Sequence, residues 1–191
     1  MVAPMRKALV LLAVLAALPL LAAPASAEPT SEQWETRFAP GRTPSTGHTF
    51  SLFNAFNDRE VRYGAREHGI NLVWSPGTTR EWSLRRRDGA VAPLARNARY
   101  ALYNVTNRAW VRYGERDTGI NLVWSSTPAY EWAFVDFSDP ATPVPAGARD
   151  ALHNAVAGDY LIYGHRNCGI NLVWFTDGIQ MQTPWGAIAG C

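Results

Sequence analysis

The chain has 191 residues, of which 47% are hydrophobic and 18% are charged, with 18 basic and 16 acidic side chains. This composition is typical of a folded globular protein and excludes a disordered chain. The near balance of charge also argues against a nucleic-acid-binding protein, which would need a basic face.

The first 27 residues are predicted to be a secretory signal peptide. Arg6 and Lys7 precede an apolar run over residues 8–21, and the small residues at 25–27 form a cleavage site. We therefore expect a secreted, extracellular protein that begins near Glu28, with no membrane span after cleavage. The 18 basic residues would fall by two with the signal and then equal the 16 acidic ones, and all of those that remain are arginine.

Residues 28–47 are predicted to be an N-terminal extension outside the repeated domain, which would occupy residues 48–191. The extension is polar and rich in Pro, Gly and Thr toward its end, as linkers are. Trp34 and Phe38 would share one face of a short helix. Two exposed aromatic side chains would dock either on their own domain or on a partner. Because no repeat requires the extension for closure, we predict an arm that binds a partner.

The strongest signal is an internal repeat with a period of 50 residues. The motif Tyr-Gly-x-Arg-x-x-Gly-Ile-Asn-Leu-Val-Trp begins at Tyr63, Tyr113 and Tyr163, and nine of its twelve positions are identical in all three copies. Further matches lie at residues 52–54, 102–104 and 152–154, and at 81–82 and 131–132. The third copy departs there, with Met181 and Gln182. The repeats cover residues 50–99, 100–149 and 150–191 approximately.

Each unit is predicted to contain about four strands. Short runs rich in β-branched and aromatic residues are separated by turn residues, and in the first unit they cover residues 49–56, 61–63, 70–75 and 81–85. Alternation in the third run places Ile70, Leu72 and Trp74 on the core face and Asn71 on the opposite face. No segment has a sustained helical period. The three units therefore predict an all-β protein of about twelve strands.

Three four-stranded repeats of this length resemble a β-trefoil, in which six strands form a barrel and six form a cap around a pseudo-threefold axis. A β-prism is the alternative architecture. Because the arginine-only basic residues indicate a GC-rich genome, the chain resembles a secreted actinobacterial β-trefoil protein, without a match to a specific family. Secreted β-trefoils are often lectins, but ricin-type lectins carry a Gln-x-Trp signature where this chain has Leu72, Leu122 and Leu172.

The repeated polar residues are the candidate binding residues: Asn71, Asn121 and Asn171, with Arg66, Arg116 and Arg166. One amide and one guanidinium in each unit could form three equivalent ligand pockets. The alternative, which we favour, is that each Asn satisfies backbone groups at a strand bend while each Arg pairs with an acid. The aromatic residues at repeated positions are expected to be core rather than sugar platforms: Tyr63, Tyr113 and Tyr163, with Trp74, Trp124 and Trp174.

No motif for catalysis is present in the sequence. The histidines are not repeated and are expected to lie in exposed loops: His48, His68, His153 and His165. Glu81 and Glu131 could act as a carboxylate pair, but they are copies of one another, and threefold symmetry should hold them far apart. We predict a protein that is not an enzyme and needs no cofactor or metal. Cys168 and Cys191 are expected to form a disulfide, since the exported environment is oxidising.

The sequence thus predicts a secreted, lectin-like carbohydrate-binding β-trefoil. One alternative is a protein-binding adaptor subunit of a secreted toxin-type complex, which would use the N-terminal arm. Another is a secreted protease inhibitor. Protein-binding trefoils use non-repeated loops, which here are residues 85–89 and 138–145.

Overall fold

The structure, a computed structural model, describes residues 30–136 and 143–176. These ranges contain twelve strands and no helix, and none of their segments is a helix long and apolar enough to cross a membrane. The strands are β1 Gln33–Arg37, β2 Thr49–Asn54, β3 Arg59–Tyr63, β4 Leu72–Ser75, β5 Trp82–Arg85, β6 Ala101–Asn104, β7 Ala109–Tyr113, β8 Leu122–Ser125, β9 Trp132–Val135, β10 Asp150–Asn154, β11 Asp159–Tyr163 and β12 Leu172–Phe175. The prediction of an all-β protein is confirmed.

The three sequence units share one pairing pattern. In the first unit β2 pairs with β3 and β3 with β4, and all of these pairs are antiparallel. The second unit repeats this with β6, β7 and β8, and the third with β10, β11 and β12. The register also repeats, since Leu52 faces Val61, Leu102 faces Val111 and Leu152 faces Leu161. The sequence period therefore corresponds to a structural period.

The remaining pairings join the units to one another. Strand β5 pairs with both β2 and β6, and β9 pairs with β10. Tyr100, the residue before β6, bridges Trp132 of β9. Strand β1 pairs with β10 on one side and β2 on the other. The pairings thus run through β1, β2, β5, β6, β9 and β10 and return to β1.

Strand β1 corrects the expectation of a short helical arm. Trp34 is fully buried, and its indole Nε1 donates to the Leu161 carbonyl oxygen at 2.7 Å. Trp82 makes the same bond to Val61 at 2.6 Å, and Trp132 makes it to Val111 at 2.8 Å. Trp34 therefore occupies in the third unit the place that Trp82 and Trp132 occupy in the other two. The segment is a strand because the backbone groups of β10 and β2 pair with it on both sides.

The hydrophobic core is built from equivalent residues of all the units. Its largest fully buried side chains are Trp34, Trp82, Trp132, Tyr100, Phe50, Ile70, Leu84, Leu94, Ile120, Leu122, Leu152 and Ile170. The predicted core face of the third run in the first unit is borne out for Ile70 and Leu72, which are buried, while Trp74 is half-buried and packs against the core. Burial of these aromatic and aliphatic side chains supplies the main driving force for folding.

Candidate functional site

The repeated arginines join the units in a closed ring. Arg116 donates from Nη2 to the Gly69 carbonyl oxygen at 2.9 Å, and Arg166 donates to Gly119 at 2.6 Å. Arg66 completes the ring by donating to the carbonyl oxygen of Gly169. Burial lowers the pKa of Arg166 from its ordinary value, because desolvation penalises the charged form. The expectation that these arginines pair with acids is wrong, since they bind carbonyl oxygens of neighbouring units.

The three glycines of this ring pack against one another. Gly69, Gly119 and Gly169 have φ values of 79°, 78° and 80°. A Cβ on Gly119 would lie 2.9 Å from the Gly69 Cα. Both the positive φ and the close approach therefore require glycine at this junction.

The repeated asparagines hold the same loops from within. The Oδ1 atom of Asn71 accepts from the backbone N–H of Arg66 at 3.3 Å, and Asn121 and Asn171 make the equivalent bond at 3.2 Å. The side-chain oxygen of each Asn is thus used inside its own unit. These contacts favour the structural role for the repeated Asn and Arg, although Arg66 and Arg116 keep exposed surface.

The repeated aromatic residues pack between units, as expected for core residues. Tyr63 lies 5.8 Å from Trp124 between ring centroids, and Tyr163 lies 5.6 Å from Trp74. Trp74 also stacks on Trp34 at 6.2 Å. The corresponding rings of the remaining interfaces have the same arrangement, in Tyr113 with Trp174, Trp82 with Trp124 and Trp132 with Trp174.

The buried carboxylates Glu81 and Glu131 serve the same framework. Oε1 of Glu81 accepts from Asn104 Nδ2 at 2.9 Å, and Oε1 of Glu131 accepts from Asn154 Nδ2 at 2.8 Å. Each also accepts from a backbone N–H, of Tyr63 and Tyr113 respectively. Asn54, the equivalent asparagine of the first unit, donates instead to the Ser31 carbonyl oxygen at 2.9 Å. Both glutamates are therefore engaged within the fold.

The predicted partner-binding arm is contradicted by its burial. Trp34 has no exposed surface, so it offers nothing to a partner. Phe38 is half-buried, packs against the core and lies 5.2 Å from the Phe50 ring. The reason is that both rings complete a core that spans the first and third units.

Cys168 is buried, and the described residues contain no free cysteine. Cys191 lies outside the described residues, so the disulfide stays a prediction. Most of the loop at residues 138–145 also lies outside them. Within the described ranges, no three His, Cys, Asp or Glu side chains are grouped as metal ligands.

A groove of about 550 Å³ lies on the face of the sheet formed by β5, β6, β7 and β8. It is lined by Arg85, Arg86, Arg87, Gly89, Tyr103, Arg108, Trp110, Ser126 and Tyr130. Tyr103 and Trp110 are directly opposite across β6 and β7, with ring centroids 4.7 Å apart. The Arg87 guanidinium lies 5.3 Å from the Tyr130 ring. We name these lining residues the arginine–aromatic groove.

The arginine–aromatic groove has a strongly positive rim. Its lining contains four arginines and no acid. Beside it, Asp88 binds Arg86 through two hydrogen bonds of 3.1 and 2.8 Å. The hydrogen bond from the Ala90 N–H and the Arg86 side chain lower the pKa of Asp88. Within the described residues, Arg85, Arg87 and Arg108 make no ion pair.

This groove breaks the threefold pattern. In the first unit, Phe53 and Glu60 occupy the positions of Tyr103 and Trp110. Both are buried, and the Arg37 guanidinium lies 3.2 Å from the centroid of the Phe53 ring. The third unit has His153 and Tyr160 there, 5.0 Å apart between ring centroids.

Sequence reasoning singled out the loop at residues 85–89 but missed the aromatic residues. The available signal was the difference between the units at the positions of Tyr103 and Trp110.

No family model, curated protein or solved structure matches this chain.

Proposed function

We propose that the chain is a secreted, non-enzymatic β-trefoil. Three features support this architecture: the equivalent pairing of the units, the sequence of pairings that returns to β1, and the glycine junction where all three units meet. A β-prism, whose three sheets would each close separately, fits less well with strands β5 and β9 pairing into the next unit. An experimental structure in which residues 50–99, 100–149 and 150–191 superpose would test the proposal, and separate flat sheets would contradict it.

We propose further that this trefoil binds carbohydrate through the arginine–aromatic groove. The observation that carries the proposal is the Tyr103–Trp110 pair, two half-exposed rings 4.7 Å apart on an open face of the sheet. Sugar rings present apolar C–H faces that pack on aromatic side chains, while arginines hydrogen-bond their oxygens. The repeated Asn and Arg are less suited to this role because their contacts lie within the fold.

The test is a glycan array with the wild-type protein and two matched variants. Trp110→Ala removes the ring in the groove, whereas Tyr160→Ala removes the equivalent ring of the third unit, outside it. We expect Trp110→Ala to abolish binding and Tyr160→Ala to retain it. Binding that survives Trp110→Ala, or the absence of any glycan signal, would contradict the proposal.

The protein-binding alternatives have less support. An adaptor would need a free arm, but Trp34 is buried between β10 and β2. A protease inhibitor would use an exposed non-repeated loop such as residues 85–89, which here forms the rim of the groove. Pull-down from the native secretome distinguishes them, since a stable protein partner without a glycan signal would favour the alternatives.

A further inference from the structure

We infer that the ligand of the arginine–aromatic groove is an anionic saccharide, one that carries carboxylate or sulfate groups. This inference rests on the proposed carbohydrate binding and adds its substrate class. It depends on three observations: the uncompensated positive charge of the groove, the backbone conformation of Arg108 and the position of the charges around the aromatic pair.

The charge of the groove is the first observation. Four arginine side chains line it, and the nearby Asp88 is engaged by Arg86. Like charges held together in a concave site repel one another and raise the local concentration of anions. Guanidinium groups bind carboxylate and sulfate-like oxyanions through paired hydrogen bonds. A neutral sugar would leave this charge uncompensated, whereas an anionic one neutralises it.

The conformation of Arg108 is the second observation. Arg108 lies in the turn between β6 and β7 with a φ of 57°, in the left-handed region that favours Gly, Asn and Asp. The equivalent turn positions carry Asp58, with a φ of 51°, and Gly158, with a φ of 77°. Those residue types suit the turn, and arginine does not. Arg108 thus carries a conformational cost in the unit whose aromatic pair lines the arginine–aromatic groove, as expected where a side chain has a binding role.

The placement of the charges is the third observation. Arg85 ends β5, the strand beside β6, and Ser83 of β5 faces Tyr103 across that pair. Arg85 therefore lies on one side of the aromatic pair, and Arg108 lies on the turn that joins the strands of Tyr103 and Trp110. Both arginines line the groove, so a sugar ring on the aromatic pair would have an arginine on the β5 side and another at the turn. This arrangement suits a sugar ring that carries an acidic substituent.

The experiment compares ligands that differ in charge or in sugar rings. Binding of the full protein is measured by titration calorimetry with dextran, dextran sulfate, polygalacturonate and polyphosphate at two salt concentrations. We expect binding to dextran sulfate or polygalacturonate, weakened by salt, and at least about tenfold weaker binding to dextran and polyphosphate.

The variants are Trp110→Ala, Arg85→Ala and Arg108→Gly, with Arg62→Ala as the control. Arg108→Gly is suited to the turn because glycine occupies it in the third unit. Arg62 is an exposed arginine of β3 in the first unit. We expect the three groove variants to weaken binding to the anionic saccharide by about tenfold or more and the control to retain it.

The failures are distinguishable. Equal affinity for dextran and its sulfate, lost in Trp110→Ala, would overturn the anionic class and leave the proposed function standing. Polyphosphate binding of equal affinity that is unaffected by Trp110→Ala would show anion binding without sugar recognition and overturn both. No binding to any of these ligands, together with a silent glycan array, would also overturn both.

Discussion

Gly119 and its equivalents have a requirement for glycine that goes beyond a turn conformation. Gly147 also has a positive φ, of 76°, but nothing lies within 4 Å of its missing side chain. At Gly119 the Cα of Gly69 would be only 2.9 Å from an added Cβ. Substitutions at Gly119 and Gly147 therefore separate the energetic cost of the backbone conformation from the cost of crowding at the junction of the units.

We predict that Gly119→Ala destabilises the fold more than Gly147→Ala. The Gly147 variant should lose about 1–2 kcal/mol because alanine is strained at positive φ. The Gly119 variant should lose about 1–3 kcal/mol more, since backbone atoms of another unit must shift. Denaturant unfolding of both variants measures the difference. Equal losses would show that the three units do not crowd at this point.

Tyr100 is a buried titratable group with both of its hydrogen bonds to one residue. It is 1% exposed, and its hydroxyl accepts from the Ala95 N–H at 2.8 Å and donates to the Ala95 carbonyl oxygen at 3.2 Å. Burial raises the pKa of this hydroxyl above its ordinary value of 10.0. The folded state therefore holds the proton more tightly than the unfolded chain does.

We predict that stability falls as the pH rises above about 10, the ordinary pKa of tyrosine. Below that pH both states are protonated and the contribution is complete. Above it the unfolded chain loses the proton first, which favours unfolding. The free energy of unfolding should decline less steeply with pH in Tyr100→Phe than in the wild-type protein. Identical slopes would assign the alkaline loss to other groups.

At the scale of elements, β1 is the strand that joins the first unit to the third. It makes register pairs with Asp150 and Ala151 on one side and with residues of β2 on the other. Ala55 donates to the Gln33 carbonyl oxygen at 3.0 Å, as Val105 and Ala155 do at 2.8 Å to Glu81 and Glu131. These equivalent bonds show that β1 serves the third unit as its fourth strand, as β5 and β9 serve the first and second units.

We predict that Trp34→Ala destabilises the protein by about 3–5 kcal/mol, because it removes a fully buried indole and leaves a cavity. Trp82→Ala and Trp132→Ala are matched controls and should lose similar amounts, since both rings are equally buried. Thermal and denaturant unfolding measure all three. A loss below about 1 kcal/mol for Trp34→Ala alone would restore the arm as a separate, dispensable segment.

Removal of the residues before position 38 extends the same test to the whole strand. The truncated protein should be unstable or insoluble, because β10 and β2 would each lose a pairing partner and expose an edge. Removal of residues 28–29 alone is the control and should leave the melting temperature nearly unchanged, since it keeps the hydrogen bonds between Thr30 and Gln33 at the start of the strand.

At the scale of the molecule, the units depend on one another for their buried and polar contacts. Each arginine of the ring binds a carbonyl of another unit, and Trp34, Trp82 and Trp132 each stack on a tryptophan of another repeat. Arg96 forms a buried ion pair with Asp150 of the third unit, with atoms 3.0 Å apart. A unit removed from this arrangement would expose a core face, so we expect the three to unfold together.

The predicted disulfide between Cys168 and Cys191 would link residue 191 to the third unit, which we expect to unfold together with the other two. Mass spectrometry of the unreduced protein should find the two cysteine peptides linked. Reduction should lower the stability by about 3 kcal/mol, the usual effect of opening a loop of this size. A Cys168→Ser, Cys191→Ser variant should match the reduced wild-type protein and be insensitive to reductant. Two free thiols in the unreduced protein would contradict the pairing.

Much of the framework could be predicted from the sequence because its causes are local. Alternating apolar residues and turn residues located the strands of the first unit to within two residues at each end. The repeat indicated three equivalent units, and the strands of the three units pair in the same register. A repeated residue meets the same requirement in each copy, so the repeat marks the position as important even where the contact it makes is distant.

The tertiary structure alone decided the features that depend on distant partners. The N-terminal segment resembles a linker when its composition is considered alone, and it becomes a strand because β10 and β2, far along the chain, pair with it on both sides. The ring arginines bind carbonyls rather than acids, since the meeting of three loops brings backbone oxygens within their reach. Tyr103 and Trp110 form a groove with Arg85 because strand pairing places them on one face. Sequence periodicity identifies the residues that the units have in common, whereas the groove depends on residues that differ between the units, such as Tyr103 and Trp110.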